Sequence, residues 1–573
     1  MLAIAPFGVL LASVLVVPVL IFGSYAFEDG NSSWVTLWTS PGKLNSIGLT
    51  LEIAAQTTAI CAALAYLYVA GLMRAGPRLR RLLLLAVIVP FLTSILVRSY
   101  AWIIVLGNQG PLNAVVRWVF GPDANLQLLY NRSGVLIGMV HVLLPLFVLP
   151  LYAVVADIPP NLTRAARTLG ANRVEAYLRV LLPLSLPGAA AGAVLVFVSA
   201  LGFFVTPSLL GGLQETMVAQ LIQRELSTFV DLPDAAVLAI VLMSGVLAIL
   251  AAFRLFYPIE LLFIRSQVTV QHRQRQRRAP SGLGRPGRRW PLGSARLALT
   301  GGLSRLPWDT ICWAGTLLVA AFFLVPLIIV IPVSFTGEAF LHFPPDSYSL
   351  RWYEAVIKDP LWQRAFVNSL LTGAVATLLA AVIGLPLAFA LVRAHLSQRV
   401  RGLLVLLVVL PALVPLIVLA IGVFVWYLRI GLIANSWSLA AAHALLGLPF
   451  LVLVVMAALR DFDARLERAA RSLGAGPLNT LRLITLPILS RAIAAGLLFA
   501  FLVSLDELLI ALAVTDFVTA TLPVRLWEGA NEEISPALAV VSTLYLLLAI
   551  VAASAALGGG GVRRRPASEV VDA

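Results

Sequence analysis

Residues 161–183 read NLTRAARTLGANRVEAYLRVLLP, and residues 465–487 read RLERAARSLGAGPLNTLRLITLP. The two stretches align without a gap, so Gly170 meets Gly474 and Leu182-Pro183 meets Leu486-Pro487. In each copy the apolar residues fall at i, i+3, i+4 and i+7: Leu162, Ala165, Ala166 and Leu169, then Leu466, Ala469, Ala470 and Leu473. That spacing builds one apolar face on a short helix. The glycine that follows predicts a helix ended by a left-handed residue, a conformation only glycine adopts cheaply. A second helix then runs to the Leu-Pro pair, where proline starts or kinks the next span. Taken alone, such an amphipathic helix could lie on lipid. Its recurrence with the same glycine to Leu-Pro spacing points instead to a duplicated chain with a paired docking site.

The surroundings of both segments are apolar. Of the 573 residues 60% are hydrophobic and 12% are charged, against about 25% charged in a typical soluble domain. A helix needs about 20 apolar residues to cross a ~30 Å hydrocarbon layer, and about twelve stretches qualify. In the first half they lie near 7–22, 47–72, 82–106, 135–155, 188–210 and 235–256. In the second they lie near 311–333, 366–392, 403–426, 438–459, 493–514 and 537–556. The expected fold is therefore all-α and polytopic, about twelve transmembrane helices in two six-helix repeats. The first run, at the N-terminus, has no Lys or Arg ahead of it, which favours a retained span over a cleaved signal.

Arginine-rich loops alternate with loops that lack them. Arg74, Arg78, Arg80 and Arg81 share one, Arg164, Arg167, Arg173 and Arg179 the next but one. In the second half Arg393, Arg399 and Arg401 share one, and Arg460, Arg465, Arg468, Arg471 and Arg482 another. The positive-inside rule makes those loops cytoplasmic and places both termini inside. It also accounts for the net charge of +14 without a nucleic-acid partner, since no basic domain stands apart from the spans. Corresponding segments lie on the same side of the bilayer, so the repeats are parallel. The organisation expected is a first repeat over 1–264, a basic cytosolic linker over 265–309, and a second repeat over 310–573. The linker contains QHRQRQRRAPSGLGRPGRRW, too poor in apolar residues to pack a core.

Further matched features tie the halves together. Asn45-Ser46 faces Asn368-Ser369 at the start of each second span, and Pro90 faces Pro411 within each third. Gly170 with Val180-Leu181-Leu182-Pro183, and Gly474 with Ile484-Thr485-Leu486-Pro487, resemble the cytoplasmic loop signature of ABC importer permeases: EAA, three residues, G, nine residues, I-x-L-P. The resemblance implies the type I importer permease fold and makes each segment a coupling helix that sits in a groove of an ATPase. The residues it assigns to coupling are Arg164, Ala165, Ala166, Gly170, Leu182 and Pro183, with Glu467, Arg468, Ala469, Ala470, Gly474, Leu486 and Pro487. Arg164 and Arg468 stand where the pattern has glutamate, and Glu467 is placed to compensate in the second copy.

PFLTSILVRSYAWIIVLGNQGPLNAV and ALGFFVTPSLLGG in the first half resemble one permease subunit of spermidine/putrescine-type importers. VTDFVTATLPVRLWEG, with SLDELL before it, resembles the partner subunit. The chain thus looks like two permease subunits joined by the basic linker. The resemblance implies a bacterial inner-membrane location, a pair of separate ATPase subunits and an external substrate-binding protein. A polyamine or related small amine is the substrate expected, with an amino-acid derivative or organophosphonate as alternatives.

Cofactor chemistry is not expected in this chain. A P-loop needs G-x-x-x-x-G-K-[ST], and of the two lysines Lys358 has no preceding glycine while Lys43 precedes a leucine. ATP would be used by the partner ATPase. Cys61 and Cys312 lie in apolar runs and read as packing residues, and no nucleophile, base and orienting group converge as in an enzyme. Charged residues within spans are the candidate pathway groups. Glu52 shares a span with Gln56, Thr57 and Thr58, and Asp506 and Glu507 are adjacent acids within an apparent span. Gly202 occupies the place of Asp506 in the first half. Arg98 and Arg254 are expected to snorkel from span ends, and His141 and His443 to make hydrogen bonds. A twelve-span secondary transporter also has parallel repeats, but it has no need of a paired docking helix.

Overall fold

The computed structural model describes residues 4–226, 231–256, 308–340, 342–532 and 535–558. Each half contributes the same order of helices. The first half runs α1 (Ala5–Phe27), α2 (Pro41–Arg74), α3 (Pro77–Leu92), α4 (Ile95–Leu106), α5 (Arg132–Asp157), α6 (Pro160–Thr168), α7 (Arg173–Leu201), α8 (Val205–Leu210) and α9 (Leu232–Leu255). The second runs α10 (Trp308–Ser334), α11 (Pro360–Arg393), α12 (Gln398–Leu413), α13 (Leu416–Arg429), α14 (Ser436–Asp461), α15 (Ala464–Ser472), α16 (Pro477–Asp506), α17 (Leu509–Val514) and α18 (Pro536–Gly558). Adding nine to a label in the first half gives its counterpart. Among the described residues the only β feature is an isolated bridge between Thr336 and Tyr348. Of the linker expected at 265–309, all but Trp308 and Asp309 lies outside the described residues, and those two open α10.

Each of the twelve expected stretches is mainly helical where described, but the count of unbroken spans is lower. Nine helices among the described residues are long and apolar enough to cross a membrane, or eleven if each bent pair is one span. The third spans are the bent ones: Pro77–Leu92 meets the following helical stretch at 104°, and α12 meets α13 at 91°. The cause lies in the residues at the bends. Ser94 leaves the helical conformation and its Oγ accepts from the Leu96 backbone N–H, capping a new helix. Pro415 takes the same place before α13 with an extended backbone; proline cannot donate, and it suits a helix start. The fifth spans break as well. α7 stops at Leu201 and resumes as α8, and α16 stops at Asp506 and resumes as α17. Asp506 and Glu507 therefore sit at a helix break, where the sequence alone suggested an unbroken span.

The first span of each half packs on the other half. Within α10, Thr316 Oγ1 donates to the Leu67 carbonyl at 3.3 Å, and a Cβ on Gly71 would run into Thr316. The rings of Tyr68 and Phe323 meet edge to face with centroids 6.2 Å apart. On the opposite side, α1 lies against α13: a Cβ on Gly422 would come within 3.0 Å of the Pro18 backbone, and Arg429 donates to the Tyr25 hydroxyl at 2.8 Å. Close backbone approach through glycine is how helices associate where lipid removes the hydrophobic drive.

Candidate functional site

Four helix breaks converge between the halves. Around them lies a cavity of about 180 Å³, lined by Ile95 and Leu96, by Gly202 to Val205, by Val414 to Leu416, and by Asp506 with Leu508 and Leu509. Asp506 is the one charged residue among its lining residues. The two sides correspond. Gly202 of the first half fits against Pro415 of the second, where an added Cβ would lie 2.8 Å from the proline ring. Asp506 of the second half meets the matching corner of the first, Oδ1 accepting from the Ile95 backbone N–H at 2.9 Å. Ser94 also hydrogen-bonds this carboxylate. A carboxylate at the N-terminus of α4 satisfies an orphan donor and faces the positive end of the helix dipole.

One turn into α4, Arg98 is 3% exposed, and its charge acts on Asp506. Its Nη1 donates to the Val142 carbonyl at 3.3 Å. Arg98 therefore does not snorkel: the bend at Ser94 turns α4 inward and carries the guanidinium with it. Glu507 points away from the cavity and is 4% exposed. Its two oxygens accept from the Ile510 and Ala511 N–H groups at 2.9 and 3.0 Å, capping α17. His443 lies behind it, Nε2 3.1 Å from the carboxylate and Nδ1 2.8 Å from the Ser504 hydroxyl. His141 sits 3.2 Å from the Phe323 carbonyl among Trp102, Phe322 and Phe323. Glu52 is elsewhere: exposed on α2, it is ion-paired with Arg132 and hydrogen-bonded to Gln56, and it does not line the cavity.

The second region is the pair of short helices α6 and α15. No residue of α6 is buried, and only Ala470 of α15 is. Leu162 and Leu466 are 42% and 46% exposed, and Leu169 and Leu473 are both 88% exposed. Gly170 and Gly474 have φ of +95° and +89°. In each copy the glycine N–H donates back to Arg167 or Arg471, and the next N–H to Ala166 or Ala470. That is a Schellman ending, repeated. One turn of π-helix then precedes Leu182-Pro183 and Leu486-Pro487.

The copies differ in how they are tied down. Glu467 on α15 accepts from Arg393 at the end of α11 (3.2 Å) and from Thr485 in the π turn (2.9 Å), and its side chain is 14% exposed. It thus faces its own half. At its counterpart, Thr163, the hydroxyl donates only to the local Pro160 carbonyl. Arg74, the counterpart of Arg393, pairs with Asp309 at 3.5 Å, and Asp309 also meets Arg173. The carboxylate that the first segment lacks comes from the first span of the second half. Asp309 has no sequence signal of this role, because it lies in what reads as linker.

With this geometry the class is defined. The chain belongs to the family described as the binding-protein-dependent transport system inner membrane component, which matches it twice, over residues 59–257 and 380–558. It is a multi-pass permease with two family domains in one polypeptide. It is 34% identical over 193 residues to the spermidine/putrescine transport system permease protein PotB of Escherichia coli K12, covering 34% of this chain and 70% of that protein. The same identity over 193 residues holds for PotB of Salmonella typhimurium LT2, with 67% of that protein covered. PotC of Haemophilus influenzae, the permease protein of the same named system, is 28% identical over 232 residues, 40% of this chain and 88% of that protein. A crystal structure of a bacterial ABC transporter for the acidic polysaccharide alginate overlaps 48% of this chain and all of the matched chain, with 16% identity and a TM-score of 0.34.

Proposed function

We propose that this permease imports a small amine of the polyamine class, driven by separate ATPase subunits that dock on α6 and α15. The observation that carries the coupling reading is the duplicated exposed helix, ended by a left-handed glycine at the same place in both halves. Each offers two exposed leucines at one face, a shape suited to insertion in a groove. Arg164, Ala165 and Ala166 in α6, and Arg468, Ala469 and Ala470 in α15, form the docking helices. Leu182-Pro183 and Leu486-Pro487 begin the long helices that transmit movement to the breaks above. A substrate-binding protein delivers the amine on the outer side, and both termini are cytoplasmic.

The amine assignment rests on the relatives, which are permease proteins of spermidine/putrescine transport systems, and on Asp506. A cation entering the cavity meets one carboxylate among apolar walls, and that carboxylate is held by Ile95 and opposed by Arg98. Arg98 gives Asp506 an internal cationic partner, so an entering cation competes with it and binding is reversible. The test is ATP-dependent uptake in vesicles carrying the permease, its ATPase and its binding protein. Spermidine or putrescine uptake should fall at least tenfold in Asp506→Asn, with folded yield and basal ATP hydrolysis kept. Normal amine uptake by the variant would remove Asp506 from the pathway, and transport of an anionic solute by the wild type would end the polyamine assignment.

A further inference from the structure

Beside the first coupling segment lies a cavity of about 510 Å³ that the transport reading does not use. Its floor is apolar, formed by Val69 and Met73 of α2, Val155 of α5, Leu181 of α7 and Trp313 of α10. Its rim is cationic: Arg74, Arg167 and Arg173 line it. A wider, more polar space of about 880 Å³ adjoins it and adds Arg164, sharing Arg167, Arg173 and Asp309. Among the described lining residues four arginines thus face a single carboxylate, Asp309, which is already engaged by Arg74 and Arg173. Glu175, the next acid in the segment, is occupied by the Asn172 backbone and by Arg179.

The linker does not supply the missing anion, because no Asp or Glu occurs between Glu260 and Asp309 while arginines recur throughout. The depth of the site is informative. It lies where α2 and α5 end and α10 begins, and tyrosine and tryptophan gather there: Tyr66 and Trp313 line the cavity, and Tyr177 meets Trp308 with centroids 5.4 Å apart. Aromatic residues of this kind mark the level of lipid headgroups. The corresponding place in the second half differs, because Glu467 takes Arg393 and Thr485 there.

We propose that this cavity binds one anionic glycerophospholipid, its phosphate held by Arg167 with Arg164 and Arg173, and an acyl chain on the Val69, Met73 and Leu181 floor. Basic pockets between transmembrane helices on the cytoplasmic side take headgroups in this way, and arginine's planar fork matches phosphate oxygens. The inference stands whether or not α6 docks an ATPase. If both hold, lipid composition reaches one coupling segment and not the other.

The test is native mass spectrometry of the full-length permease in detergent, offered phosphatidylglycerol or phosphatidylcholine. The wild type should retain one phosphatidylglycerol with at least a tenfold preference. Arg167→Gln with Arg173→Gln should abolish that preference, whereas Arg471→Gln, at the place of Arg167 in the second half, should keep it. Met73→Trp fills the floor and leaves the arginines intact, so it should also eliminate retention while a monodisperse, normally melting protein shows that folding survives. Equal retention of both lipids by the wild type would overturn the proposal, as would retention that survives both variants. Displacement of the lipid by millimolar inorganic phosphate, with phosphate binding unaffected by Met73→Trp, would make it a phosphate site and overturn the lipid assignment.

Discussion

Gly170 and Gly474 have nothing within 4 Å of the place a Cβ would occupy, so the requirement for glycine there is conformational and not steric. At φ near +90° a β-branched residue is strained by about 1–2 kcal/mol, enough to unwind the Schellman ending and re-aim the helix before it. Gly170→Val and Gly474→Val should each cut substrate-stimulated ATP hydrolysis several-fold, with the melting temperature of the permease nearly unchanged. Unaltered stimulation in both would sever these helices from coupling. The left-handed ending at each glycine was legible because it depends on local backbone alone. Arg98 was not: within ILVRSYAWIIVL it looks like a residue near a span end, and only the turn at Ser94 takes it inward. The cue available was Thr93-Ser94 after Pro90, a cap signal in the middle of an apolar run.

At the scale of elements, hydropathy hides the breaks. From Leu505 to Val514 every residue but Asp506 and Glu507 is apolar, so mean hydropathy carries across the gap between α16 and α17, where Glu507 caps α17 from within. The asymmetry of the two duplicated segments was equally invisible, since Asp309 approaches α7 from a distant part of the chain. Magnitudes separate the two anchors. Asp309 is 48% exposed, and exposed ion pairs contribute about 0–1 kcal/mol. Glu467 is mostly covered and satisfies both Arg393 and Thr485, and leaving such partners unmatched costs about 1–3 kcal/mol. Glu467→Gln should therefore lower the detergent melting temperature measurably, and Asp309→Asn should not. The reverse order in a thermal unfolding series would show that the segment ends are held by contacts other than these carboxylates.

For the whole molecule, the alternating arginine loops set a direction that single cysteines can read. Cys61 and Cys312 are buried, so added thiols report on a quiet background. A cysteine at Thr168, exposed at the end of α6, should react with an impermeant maleimide only from the cytoplasm, and one at Ser347, exposed after α10, only from outside. Labelling from the opposite sides would invert the permease and place α6 and α15 out of reach of any ATPase.

The exchange of first spans also bears on how such a chain is made. When translation has delivered α9, the surface of α2 around Leu67 and Gly71 still awaits Thr316, and α1 still lacks the α13 groove that closes over Pro18. Neither half is finished without the other, and the N-terminal portion must wait in the bilayer with two faces uncovered until α10 and α13 are inserted. A covalent link shortens that wait and fixes the ratio of halves at one to one. It also favours pairing of unlike halves over pairing of two first halves, which would bring Gly202 to Ser94 in place of Pro415 and leave no Asp506 at the centre.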